Sequence, residues 1–182
     1  QFSSSKIINN ESDILNENSK KFLKKINTKS LFNKFSNELK IIKESNLVLF
    51  GEPIIDEFTY VETRGKSQKS NILSTAFLER KTNLGGILII ASHLSTFLKK
   101  VVVIIVGKLP KEIKEKLPNN VEVKEISSDV SSIIKKNRYV DYYNKSKLFQ
   151  INHNDIFSLD KKTEKKIIKI INFYIKKKYK FV

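Results

Sequence analysis

The sequence predicts an α/β protein built on an open, at least partly parallel sheet. Two observations lead there. The run Leu47-Val48-Leu49-Phe50, stopped by Gly51, has the length and unbroken apolar character of a short buried strand. A second such run, residues 101–106, ends at Gly107 and follows an apolar segment at 86–99 of helical length. Strand, helix and strand in that order form a unit whose two strands should be parallel, joined by a right-handed crossover.

The elements follow in order. Residues 2–8, Phe-Ser-Ser-Ser-Lys-Ile-Ile, read as a helix start with serines at the cap, where hydroxyls and free N–H groups can hold a phosphate. Residues 9–45 contain no glycine or proline: a polar stretch, 9–19, precedes two amphipathic helices. Leu31, Phe32, Phe35, Leu39 and Ile42 recur at helical spacing in the second, with Ser30 as its candidate cap. After the strand at 47–50 comes an acidic pair, Asp56 and Glu57. Residues 58–63 alternate and are rich in β-formers; 64–70 form a turn or loop, and 72–80 a further strand.

Gly85 and Gly86 open the helix at 86–99, which its composition makes almost wholly buried. Glycines at a helix start let a ligand approach backbone N–H groups with no Cβ in the way. His93 lies in this helix with no partner at His-x-x-x-His spacing, so it is read as a packed histidine rather than a metal ligand. Gly107-Lys108-Leu109-Pro110 lacks Walker-type spacing. A short helix at 111–117 is bounded by Pro110 and Pro118. Residues 121–126 alternate like an edge strand, and 133–143 with 147–152 form a hairpin around Asn144-Lys145-Ser146. Asp160 caps a final helix, 161–178, with Ile167, Ile168, Ile171 and Tyr174 or Ile175 on its buried side. Tyr179 starts the next strand.

Composition narrows the class. The chain has 182 residues, 40 % hydrophobic and 30 % charged, enough for one domain with a real core. No apolar run reaches membrane-spanning length, and Gln1-Phe2-Ser3-Ser4-Ser5 lacks the basic start and apolar core of a signal peptide. Cysteine is absent, which removes disulfide and thiolate chemistry and fits a cytoplasmic setting. The net charge of +16 admits a basic module for RNA or another polyanion. Against it, only Arg64, Arg80 and Arg138 are arginines, whereas specific nucleic-acid readers lean on arginine for bidentate contacts. No methionine occurs, and the chain closes on the beginning of a strand. The expectation is a fragment open at both ends.

Gly51-Glu52-Pro53-Ile54-Ile55-Asp56-Glu57, then roughly thirty residues, then Gly85-Gly86 and an apolar helix, resembles the N-terminal part of the ribokinase (PfkB) family of carbohydrate kinases. The nearest subgroup is the heptose-phosphate kinases of ADP-heptose synthesis, whose second lid hairpin is similar to residues 136–149. The resemblance implies a partial ribokinase-like three-layer sheet with a small β lid, truncated at both ends, over residues 46–182. It further implies a sugar or sugar-phosphate substrate bound by Asp56, Gly85, Gly86 and Arg138, and pairing of two copies through the lid strands; from composition, no membrane or nucleic-acid partner is expected. The carboxylate of Asp56 offers acceptors to sugar hydroxyls, and the planar fork of Arg138 matches phosphate oxygens.

Residues 2–8 also resemble the closing Ile-Ser-Thr-Thr-type motif of cytidylyltransferase-like nucleotidyltransferases, in which Ser3, Ser4 and Ser5 would contact nucleotide phosphates. Residues 1–10 would then end such a domain and 11–45 would be a helical linker, in a bifunctional enzyme of nucleotide-sugar synthesis. A plain helix cap is the alternative. ATP and magnesium are expected of the full-length enzyme. The Gly-Ala-Gly-Asp-like motif that supplies the base and nucleotide site in the family has no counterpart among these residues, so no catalytic residue is assigned and this piece should be inactive alone. Ile89 or Ser92 stands where family members often carry Asn, and Glu52 where Asp is common.

Overall fold

The computed structural model describes residues 16–25, 28–127, 133–153 and 158–181. The chain divides into two compact units, Gln1–Ile41 and Ile42–Val182. The described part of the first is helical: α1, Glu17–Lys25, and most of α2, Thr28–Lys43, whose last turn crosses into the second unit. The serines at positions 3, 4 and 5 lie outside the described residues.

The second unit holds two four-stranded sheets. The first is parallel, in the order β5-β4-β1-β8, from β1 (Asn46–Phe50), β4 (Lys100–Val106), β5 (Val121–Ile126) and the two-residue β8 (Lys180–Phe181). The second has the order β3-β2-β6-β7, from β2 (Pro53–Lys66), β3 (Leu73–Gly86), β6 (Ile134–Asp141) and β7 (Lys147–His153). In it β2 pairs antiparallel with β3 and parallel with β6, and β6 pairs antiparallel with β7.

Alternation along the central strands explains the layering. Leu47, Leu49, Val101, Val103 and Ile105 point to one face, where Leu88 and Ala91 of α3 (Ile87–Leu94) and Ile113 of the short α4 (Lys111–Lys114) close the core. Val48, Val102, Ile104 and Val106 point to the other, against Ile167 and Tyr174 of α5 (Lys161–Lys176). A strand covered on both faces must be apolar at every position, which is why β4 reads as one unbroken run. As expected, β1 and β4 are parallel neighbours and β5 is an edge strand.

Several expected boundaries are corrected. The strand expected at 58–63 begins five residues earlier, at Pro53, because its pairing with β3 continues down to Pro53 opposite Gly86. Asp56 therefore lies within a strand rather than in a loop past one. The strand expected at 72–80 runs on to Gly86, so the diglycine is the end of β3, and the helix starts one residue later. That helix ends at Leu94 rather than 99, where the Ser95 and Thr96 hydroxyls bond back to the Ser92 and His93 carbonyls. It is not wholly buried: Leu88 and Ala91 are buried, while Ile90 is 47 % exposed. On α5, Asp160 caps as expected, accepting from the Lys162 and Thr163 N–H groups at 2.8 Å, but Ile168 and Ile175 face outward.

Candidate functional site

The second sheet, β3-β2-β6-β7, which corresponds to the small β lid of the expected fold, is built directly onto the end of β1. Only Gly51 and Glu52 separate β1 from β2, and β3 passes without a break into α3. The two junctions are tied together, since the Ile87 N–H donates to the Glu52 carbonyl at 3.1 Å. The foot of the small sheet thus stands at the carboxyl end of a central parallel strand, where open α/β sheets bind their ligands.

Alternation sorts the foot of β2 into two faces. Ile55, Glu57, Thr59 and Val61 form the buried face; Ile54, Asp56, Phe58 and Tyr60 are half-buried on the other. The adjacent carboxylates are therefore separated, and they meet different partners. The Glu57 side chain is only 7 % exposed, with Lys135 of β6 at 3.0 Å from Oε2 and Arg80 of β3 at 3.4 Å from Oε1. On the same face the Thr59 hydroxyl donates to Asn137 Oδ1 at 2.9 Å. Glu57, Lys135, Ile55 and Ile113 also line a cavity of about 410 Å³ behind the sheet.

The Asp56 face gathers four residues singled out from the sequence. Asp56 stands opposite Asn83 of β3 and Lys136 of β6. Arg138, two residues beyond Lys136, is on the same face, and one of its terminal nitrogens donates to Asp56 Oδ1. Its guanidinium also lies 5.2 Å from the centre of the Phe58 ring. With side chains only 24 % and 20 % exposed, this pair is less screened than a surface ion pair. Gly85 sits opposite Ile54, and a Cβ there would come within 2.6 Å of Asp56 Oδ2, so the bare backbone makes room for the carboxylate. Gly86 serves differently: its φ of +52° is in the left-handed region, and a Cβ would run into the Glu52 carbonyl oxygen and come within 2.8 Å of Ile54 Cγ1. Its missing side chain points at protein.

Charge on this face is nearly balanced. Lys81 Nζ is 3.0 Å from Glu79 Oε1, and that hydrogen bond raises the lysine's pKa. Among the described residues, no group of three or more His, Asp or Glu converges as a metal site, and His93 and His153 lie in different elements. Sequence reasoning missed Asn83 and Lys136. Neither has a local signature; only strand register puts them beside Asp56.

No protein-family model and no curated protein matches the sequence. Similarity is found among solved structures. A protein assigned as a phosphofructokinase from Staphylococcus aureus superimposes with a TM-score of 0.50 at 14 % identity, over 69 % of this chain and 39 % of that one. The fold is ribokinase-like. A 1-phosphofructokinase assignment from Thermotoga maritima (TM-score 0.48, 12 % identity, 74 % of this chain and 42 % of that one) and a sugar kinase assignment from Clostridium perfringens (0.46, 16 %, 70 % and 41 %) stand beside it. The chain thus spans about two fifths of the length of these ribokinase-like neighbours. At such identities the likeness establishes fold alone.

Proposed function

We propose that this chain forms the substrate-binding part of a ribokinase-type sugar or sugar-phosphate kinase, with the floor of the sugar site made by Asp56, Gly85, Gly86 and Arg138. The observation that carries the reading is convergence. A carboxylate, a guanidinium and a stretch of bare backbone, drawn from three strands, meet at the foot of the small sheet beside the end of β1. Arg138 keeps Asp56 oriented through one oxygen, leaving Oδ2 and the remaining lone pairs as acceptors for sugar hydroxyls. The partly buried setting strengthens such bonds relative to water.

Transfer of the γ-phosphoryl group from ATP to a sugar hydroxyl requires a base, a phosphate cradle and, in this class, magnesium. The described residues offer none of these in a recognisable arrangement, so no step is assigned to them here, and the 182 residues alone are expected to bind sugar without phosphorylating it. The whole protein is read as a bifunctional enzyme of nucleotide-sugar synthesis of the ADP-heptose kind, working in the cytoplasm. In that reading residues 1–10 close a nucleotidyltransferase-like domain, with Ser3, Ser4 and Ser5 at nucleotide phosphates. Residues 11–45 serve as linker, and two copies pair through the lid strands.

The test is Asp56→Asn. It keeps the shape and removes the charge, so sugar binding measured by calorimetry should weaken by about 10- to 100-fold, the worth of bonds to a charged acceptor, while the melting temperature falls by a few degrees as Arg138 loses its ion-pair partner. An unchanged sugar dissociation constant would sink the assignment of the site.

A further inference from the structure

From the charge pattern around Asp56 we infer that Lys136 is the residue that selects a phosphorylated sugar, with Arg138 acting chiefly as the positioning residue for Asp56. The inference rests on the sugar-site reading above and deepens it.

Three observations carry it. First, Arg138 is the cation that sequence reasoning assigns to a substrate phosphate, yet its guanidinium is engaged by Asp56 and laid against Phe58. Its charge is offset inside the protein. Second, Lys81, a further cation of this face, is offset by Glu79 two residues away on the same strand. Third, Lys136 stands directly opposite Asp56 in register, half-buried, and its ammonium makes no hydrogen bond or ion pair with any described residue. Its neighbour across β6–β7 is neutral Asn152, whose Oδ1 already accepts from Gln150 at 2.5 Å.

Among the described residues, Lys136 is thus a positive charge at the foot of the sheet with no counter-ion in contact with it, next to the acceptors that would hold sugar hydroxyls. An ammonium with no anionic partner at the edge of a site is free to pair with an anion that a ligand brings, in a charge-assisted bond. Lys135, one residue back, shows the contrast: it points to the opposite face and is satisfied by Glu57 at 3.0 Å. A neutral sugar would meet Asp56 and leave Lys136 unanswered. A phosphorylated one would satisfy both, with a flexible four-carbon stem adjusting the ammonium to the phosphate as a point charge.

Two matched pairs test this by calorimetry: fructose with fructose 6-phosphate, and ribose with ribose 5-phosphate. The wild-type protein should bind the phosphorylated member of at least one pair more tightly. Lys136→Met should cost that member about 10- to 100-fold, a charge-assisted bond's worth, and leave the unphosphorylated sugar unchanged. Lys136→Arg should restore most of the preference, and Asp56→Asn should weaken both members together. A preference that survives Lys136→Met, or an equal loss for both members, overturns the role of Lys136 and leaves the sugar site standing. Failure of the wild-type protein to bind any of the four overturns both.

Discussion

Gly86 offers the sharpest test of the geometry. Replacing it with alanine places a Cβ where φ is +52°, a conformation that costs an L-residue roughly 1–3 kcal/mol. The new methyl group also meets the Glu52 carbonyl oxygen, which cannot withdraw without giving up its bond from the Ile87 N–H, worth about 1 kcal/mol more. The expected loss is about 2–4 kcal/mol, a large share of a domain's usual margin of roughly 5–15 kcal/mol. At about 4 °C per kcal/mol for a domain near this size, the melting temperature should fall by roughly 8–16 °C. Gly65→Ala is the control. Its φ is +87°, but nothing lies within 4 Å of the added Cβ, so only the conformational part, roughly 1–3 kcal/mol, should appear, without the loss of the Glu52–Ile87 bond. Urea and thermal unfolding of both variants measure the difference. Equal losses would refute the claim that the diglycine is held by contact with the 51–52 junction.

Two further outcomes follow from the packing. Leu88→Ala should cost about 2–5 kcal/mol in urea unfolding, since that side chain is fully buried, while Ile90→Ala on the same helix should cost less than about 1 kcal/mol; similar values would mean the buried face of α3 is misassigned. The pKa of Asp160 is lowered by the Thr163 hydroxyl and then by the Thr163 and Lys162 N–H groups. Its contribution is therefore complete above the unfolded carboxyl value of about 3.9 and is lost as pH falls below that, through the folded value. Asp160→Ala should flatten the acid limb of the stability curve, and curves that stay parallel below pH ~4 would contradict the cap's role.

The central layer was legible because its strands obey a local rule. Residues 47–50 and 101–106 are apolar throughout, as strands covered on both faces must be, and Asp160 before an amphipathic run announces a helix start. The small sheet was legible only in part. Pro53, Ile54 and Ile55 carry no strand signal of their own after Gly51; they are extended because β3 lies alongside them, some thirty residues away in sequence. The diglycine misled for the same reason, since glycine weakens a strand in isolation but here is required by Asp56 on one side and Glu52 on the other. Apolar composition could not show that Ile90 faces outward. Asp56 and Arg138 were both singled out, yet their ion pair spans 82 residues of sequence and follows from the β2–β6 register alone.

The tie between Glu52 and Ile87 has a mechanical consequence. Both long strands of the small sheet join the central layer at their foot, where Ile55 and Leu84 pack into its core and Lys116 holds the Thr82 carbonyl, which makes the foot the fixed end and each strand a lever arm. Pro53 to Lys66 is thirteen steps, about 43 Å at strand rise, whereas Pro53 to Asp56 is three, about 10 Å. For any tilt of the sheet, the rim at Lys66 travels about four times as far as Asp56. The groups that would grip a ligand ride close to the pivot, while the distal rim sweeps the wider arc.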